Sequence, residues 1–371
     1  MIRFLQLTPG EDEAVIRDAV ARVITRGWFI LGPELEAFEQ EFATACQATH
    51  AVGVGTGTDA LAIALRAIGI GPGDEVITSP LSAAYSALAI LMAGARPVFA
   101  DIDPDRLTLD PRAAAAAVTP KTAAIMPVHL YGQSADMRGI VDVARRHSLA
   151  IVEDCCQAHL ATCEGRPVGS FGLAAAYSFY PTKNLGALGD GGAITTSDEA
   201  IAARAKRLRN GGQTDKYRHD EFGVNSRLDE MQAAILRGRL PFLGRWTERR
   251  RALGRRYRHA LGSIDAVAVP PELDGGHVYH LFPVRSAVRD AMQSHLRSAG
   301  IETLIHYPIP ITGQPAFASE DPAECPIAAR VCREVFSLPL YPALADSAID
   351  AVASAVANGP RSALAQPESR P

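Results

Sequence analysis

Between residues 50 and 197 the chain alternates short apolar strands with helical stretches, and this constrains its fold more than any other feature. AVGVG from residue 51, EVITS (75–79), PVFADI (97–102), AAIMPVHLY (123–131), AIVED (150–154), AAAYSF (174–179) and GAITTS (192–197) read as strands. Helical patterns follow a Gly/Thr turn within 51–69 and cover 84–94 and 137–148; Thr58 and Asp59 occupy the expected cap of the first. Strands alternating with helices predict an α/β protein with a large, mostly parallel sheet covered on both faces. Ligands then bind at the carboxyl ends of the strands. Thr58, Asp154, Ser178 and Lys183 all fall there.

The flanks complete the expected organisation. Residues 11–27 and 34–46 read as amphipathic helices joined by the apolar run Trp28–Leu31. A long helical region covers 227–261 and breaks near Pro241. Beyond Pro270-Pro271 the pattern predicts a strand over 277–285, a helix over 289–300 and a strand over 302–307. We therefore expect a large α/β domain with N-terminal helices over 1–240 and a smaller α+β domain over 241–356. A tail over 357–371, rich in Pro, Ala and Ser, is expected to be disordered.

Several function classes are disfavoured. A net charge of -4 calls for neither nucleic acid nor an anionic membrane as a partner. No apolar run reaches the roughly 18–20 residues of a membrane span, and the N-terminus lacks the pattern of a signal peptide. Six cysteines without CxxC spacing read as reduced thiols, which fits a cytoplasmic protein. No GxGxxG, GK[ST], HExxH or GxSxG pattern is present, so dinucleotide, P-loop, zinc and serine-hydrolase chemistries lack their signatures.

Positive charge is written almost entirely as arginine. Only Lys121, Lys183, Lys206 and Lys216 are lysines among 37 basic residues. Lys183 lies in the glycine-rich SFYPTKNLGALGDGGA, where an ordinary surface cation would be arginine. Arginine cannot form an imine, because it holds no free amine at neutral pH. A lysine there suits pyridoxal phosphate (PLP), which also needs a carboxylate for its pyridine nitrogen and an anchor for its phosphate. Asp154 ends AIVED and can supply the carboxylate; strand alternation turns Glu153 to the opposite face. Gln157 could reach the ring oxygen. GTGTDAL, with Gly57, Thr58 and Asp59, offers N–H groups at a helix N-terminus, and Ser178 adds a hydroxyl.

Together SFYPTKNLGALGDGGA, VEDCCQAH, GTGTDAL, VHLYGQSADM and GVNSRLDEMQAAIL resemble the DegT/DnrJ/EryC1/StrS nucleotide-sugar aminotransferases, in order and spacing, over about residues 1 to 355. The resemblance implies the type I, aspartate aminotransferase-like fold of PLP-dependent transferases and a homodimer with shared active sites. It makes Lys183 the Schiff-base lysine and proton shuttle, Asp154 the partner of the pyridine nitrogen and Gln157 a contact of the ring oxygen. Gly57, Thr58, Asp59 and Ser178 hold the phosphate, with Asn225 reaching it from the neighbouring subunit. Phe29, Tyr180, Arg227, His306 and Tyr307 become the substrate side. The chain departs from the family at Ala83, where most members carry an aromatic residue that stacks on the ring; Tyr85 is the nearest substitute.

HVYHLFPVR and GIETLIHYPIP resemble members that aminate C3 of a nucleotide-linked 3-keto sugar. The implied reaction moves an amino group from L-glutamate, leaving 2-oxoglutarate, to a dTDP-linked 3-keto-6-deoxyhexose. The alternative acceptor is a UDP-linked 2-acetamido-3-keto uronate. A dehydratase of the same fold would carry histidine at Lys183. A non-catalytic regulator would be expected to lose Lys183 or Asp154, and both are present.

Overall fold

The computed structural model describes residues 1–317 and 323–361. Its centre is a seven-stranded sheet of β1 (His50–Val54), β2 (Glu75–Thr78), β3 (Arg96–Phe99), β4 (Thr122–Met126), β5 (Ala150–Asp154), β6 (Ala174–Ser178) and β7 (Gly192–Thr196). They lie in the order β1-β7-β6-β5-β4-β2-β3. Only β7 runs against its neighbours β1 and β6; the other pairs are parallel.

The strands are apolar along their length because both faces are covered. Ile77, Ile125, Ile151 and Tyr177 point to one face, against Phe38, Phe42 and the helix Met137–His147. Val76, Met126, Val152 and Ile194 point to the other, against the helices Gly57–Ala67 and Glu199–Leu208. The first of these helices is apolar nearly all round, as burial on most sides requires.

The N-terminal helices are fixed by a buried acid. The helix Glu13–Arg26, stopped by Gly27 at φ 68°, packs Ile16, Ala19 and Val23 on Ala234 and Ile235. Glu230, fully buried, accepts hydrogen bonds from the N–H groups of Gly32, Glu34 and Leu35 at 3.0, 2.9 and 2.8 Å. It therefore caps the helix Pro33–Ala45 from a distance, where Gly32 offers no side chain.

The long helical region is two helices, Glu230–Arg239 and Leu243–Leu261, separated by a 3₁₀ turn containing Pro241. In the C-terminal part an antiparallel pair, Phe282–Arg285 with Val335–Leu338, packs against the helices Leu243–Leu261, Arg289–Ser298 and Asp346–Ala357. Three expected strands are shorter. The first stops at Met126 because Pro127 has no N–H to continue the ladder. Residues 277–281 form no strand: Val278 and Leu281 donate instead to Gly132 and Tyr131. Residues 302–307 contribute only the Leu304–Ser337 bridge. Residues 362–371 of the expected tail lie outside the described residues, and no described helix is long and apolar enough to cross a membrane.

Glu153 shows what the far side of β5 does. Its carboxylate accepts from the N–H groups of Gly169, Phe171 and Gly172 at 2.8, 2.7 and 2.9 Å, and lies 3.1 Å from His129 Nε2. Replacing Glu153 by alanine orphans three backbone donors at the fully buried carboxylate's site. We expect a loss of about 3 kcal/mol, given ~1 kcal/mol or more per orphaned group, read as a lower urea midpoint. An unchanged midpoint would show that the 169–172 loop does not depend on Glu153.

Candidate active site

The sheet order brings three carboxyl ends together. β1, β6 and β5 are mutually parallel, so the turn after Val54, Ser178 and Asp154 open on one edge. The first turn leads into the helix Gly57–Ala67, whose cap is Thr56: its Oγ1 accepts from the Asp59 N–H at 3.0 Å. This corrects the expected cap at Thr58 and Asp59. The Asp59 N–H is taken, and the Asp59 carboxylate accepts from Ser226 Oγ at 2.7 Å. Gly57 and Thr58 keep N–H groups without a partner among the described residues. A Cβ on Gly57 would lie 2.7 Å from Ser178 Cβ and 3.0 Å from Cys156 Sγ, so the bare backbone and Ser178 share one small space. Open N–H groups at a helix N-terminus beside a hydroxyl form a cradle for a phosphate.

Asp154 sits on the face of β5 opposite Glu153, buried, with both oxygens engaged. Oδ2 accepts from Ser86 Oγ at 2.8 Å and Oδ1 from the Cys156 N–H at 3.1 Å. No helix follows Asp154, so its carboxylate is not a helix cap. Each oxygen still has a lone pair to offer a ring N–H.

Gln157 has a defined orientation. Its Oε1 accepts from the Tyr131 N–H at 2.8 Å, and its Nε2 donates to Tyr307 Oη at 3.1 Å. One N–H of the amide is left for a ligand. Burial pushes the Tyr307 phenol up to about 12, so it stays protonated. His306 Nδ1 lies 3.0 Å from Ser337 Oγ, and burial pulls this imidazole down to about 4.

Lys183 lines a cavity of ≈ 460 Å³ together with Gln157, His280, His306 and Tyr307. With Thr182 it also lines a neighbouring cavity of ≈ 670 Å³ that carries Arg239, Arg245, Arg249 and Arg250. The Lys183 N–H donates to the Tyr180 carbonyl at 2.8 Å, which fixes the backbone. Its amine makes no hydrogen bond or ion pair among the described residues. Desolvation lowers the amine below the ordinary lysine value, although Cys156 and Asp154 act in the opposite direction. A buried carboxylate, an open N–H cradle and an unpartnered, depressed amine meet the three demands of PLP, with the half-free amide of Gln157 in addition, so the residues fit the group.

The other expected residues are placed as follows. Tyr85 is 63% exposed at the start of the helix Tyr85–Met92, close enough to Tyr307 to act on it electrostatically. Phe29 and Tyr180 are both exposed. Asn225 is exposed, and its side chain makes no hydrogen bond among the described residues. Arg227 donates to Asn210 Oδ1 at 2.9 Å. Sequence reasoning missed Ser86, Thr56, Ser226 and Tyr131. Thr56 carried a signal, the Thr-x-x-Asp spacing with Asp59. Ser86 and Tyr131 carried none, since their partners lie 68 and 26 residues away.

Most of the chain is similar to known proteins. Residues 11–357 match the DegT/DnrJ/EryC1/StrS aminotransferase family. A Streptomyces venezuelae relative, dTDP-3-amino-3,4,6-trideoxy-alpha-D-glucose transaminase, is 49% identical over 350 residues, covering 92% of both chains. An Acidithiobacillus ferrooxidans relative, a UDP-N-acetyl-3-dehydro-alpha-D-glucosamine 3-aminotransferase, is 43% identical over 351 residues, covering 94% of both. The crystal structure of S. venezuelae DesV in complex with a ketimine intermediate superposes with a TM-score of 0.93 at 48% identity, covering 96% of this chain and 98% of that one. The chain therefore belongs to the DegT/DnrJ/EryC1/StrS aminotransferase family and is a PLP-dependent enzyme of the type I transferase fold.

Proposed function

We propose that this nucleotide-sugar aminotransferase takes its amino group from L-glutamate and delivers it to C3 of a dTDP-linked 3-keto-6-deoxyhexose. The observation that carries the reading is the unpartnered, desolvated Lys183 amine on a cavity wall shared with Gln157, His306 and Tyr307. Bound PLP supplies an aldehyde that carries the amino group and a ring that accepts electrons when a bond to the reacting carbon breaks.

The chain's own residues do the rest. Asp154, held by Ser86 and the Cys156 N–H, keeps the pyridine nitrogen protonated. Gly57, Thr58 and Ser178 hold the phosphate, in part through the positive end of the helix Gly57–Ala67. Asp59 supports this turn, giving its N–H to Thr56 Oγ1 and accepting from Ser226 Oγ at its carboxylate, so its N–H is not free for the phosphate. Lys183 Nζ takes the proton from the donor's α-carbon and returns one to the acceptor's C3, a task helped by an amine that desolvation makes less basic than an ordinary lysine.

Two features favour the deoxyhexose over a uronate. Desolvation keeps both His280 and His306 below the usual imidazole value, so neither offers a cation at neutral pH. Arg297, also on the cavity wall, is accompanied there by Glu302. A uronate carboxylate would need an uncompensated cation, which His280, His306 and Arg297 do not give; Arg250, on the neighbouring cavity, is bonded only to main-chain carbonyls.

The working form in this reading is a homodimer. Trp28, Phe29 and Ile30 form an exposed apolar run. Ile30 bridges to Asp229, four residues beyond the exposed Asn225. Such a patch suits burial against a second copy, which would bring Asn225, with Arg227 and Phe29 nearby, to the partner's site.

Two measurements follow. Holoenzyme preloaded with L-glutamate should lose its visible absorbance and regain it on addition of a dTDP-linked 3-keto-6-deoxyhexose. We expect kcat/KM to exceed that for the UDP-linked uronate by about ten-fold or more, ~1.4 kcal/mol of transition-state binding. Faster turnover of the uronate contradicts the sugar assignment, and glutamate that leaves the absorbance intact contradicts the donor. Separately, the depressed Lys183 amine holds more free base at neutral pH than a solvated lysine does. The rate at which apoenzyme gains colour with PLP should therefore level off at a lower pH than it does for a free lysine side chain. Parallel profiles would show that the amine is not depressed.

A further inference from the structure

Gln157, Tyr131, His306 and Tyr307 form a closed set of hydrogen bonds that ties the 302–307 segment to the large sheet. The Tyr131 N–H fixes Gln157 Oε1 at 2.8 Å, and Gln157 Nε2 donates to Tyr307 Oη at 3.1 Å. The Tyr131 hydroxyl donates to the His306 carbonyl, so the dipeptide is held at two points. Gln157 is buried, and no other side chain in the described structure hydrogen-bonds its amide.

We infer that Tyr307 is a positioning residue for Gln157, fixing the amide so that its remaining N–H faces the cofactor's ring oxygen. Because a main-chain N–H occupies Oε1, the amide's donor end is unambiguous. Accepting from Nε2 leaves the Tyr307 hydroxyl proton pointing away from Gln157. The phenol stays protonated across the working range, so the link does not change with pH. Its consequence is electronic as well as geometric. A donor aimed at the ring oxygen stabilises negative charge there, and so lowers the pH midpoint of the holoenzyme's visible band.

The inference rests on the reading that Gln157 faces the ring oxygen, and the test separates the two. Tyr307→Phe, Gln157→Ala and the double variant are prepared as holoenzymes and titrated by absorbance without any sugar. Loosening one hydrogen bond in Tyr307→Phe should raise the midpoint by about half a unit or more and speed PLP loss several-fold. The double variant should behave as Gln157→Ala alone, because one residue acts through the other. An unchanged spectrum in Gln157→Ala overturns the reading of Gln157 and the inference with it. A Gln157 effect with additive changes in the double variant, or a Tyr307→Phe variant that alters only KM, leaves that reading standing and overturns the inference. If Tyr307→Phe is poorly folded, Tyr131→Phe releases the His306 carbonyl and should shift the midpoint in the same direction. An unshifted midpoint there contradicts the coupling.

Discussion

The site depends on how closely β7 can be wedged between β1 and β6. Gly192 pairs with Val54 on one side and with Ser178 on the other. A side chain there is impossible, because its Cβ would lie 2.3 Å from the Thr56 carbonyl. Gly57 meets Ser178 under the same restriction. These two glycines let the first helix begin directly above the neighbouring strand ends. The open N–H groups of Gly57 and Thr58 then stand beside Ser178 and Cys156, the Cys156 N–H is bonded to Asp154, and the Lys183 amine feels the charge of both Cys156 and Asp154. Backbone approach sets the architecture, and the polar side chains are arranged on it.

Around that site the structure separates support from chemistry. The two acids that end β5 show the division. Glu153 faces away and gives its oxygens to three backbone donors, which fixes the 169–172 loop. Asp154 faces the site and is oriented by Ser86 and the Cys156 N–H. Lys183 is treated differently. Its backbone is pinned at Tyr180, and the next residue, Asn184, is held by the Val278 carbonyl and lies 3.2 Å from His280 Nδ1. The amine itself is left without a partner and made less basic by desolvation. A preorganised carboxylate beside an uncommitted amine is the arrangement that PLP chemistry requires.

Much of this was legible in the sequence, for identifiable reasons. Strands buried on both faces leave continuous apolar runs, so all seven were readable to within a few residues. The alternation of side chains along a strand separates Asp154 from Glu153 in the sequence itself. Lysine scarcity singled out Lys183. What escaped depends on contacts distant in sequence: Ser86 on Asp154, Tyr131 on Gln157, Ser226 on Asp59. The segments 277–281 and 302–307 misled because their patterns are strand-like while their hydrogen bonds go elsewhere, to Gly132, Tyr131 and Gln157. At Ala83, where the resemblance implies an aromatic residue, the chain has none, and Tyr85, two residues on, is 63% exposed.

The central claim is that Lys183, alone among the four lysines, carries the cofactor. Borohydride reduction of the holoenzyme followed by peptide mapping tests it directly. The account predicts one PLP-labelled peptide, containing Lys183, and none in a Lys183→Ala variant. Label on Lys121, Lys206 or Lys216, or equal labelling of the variant, would contradict it.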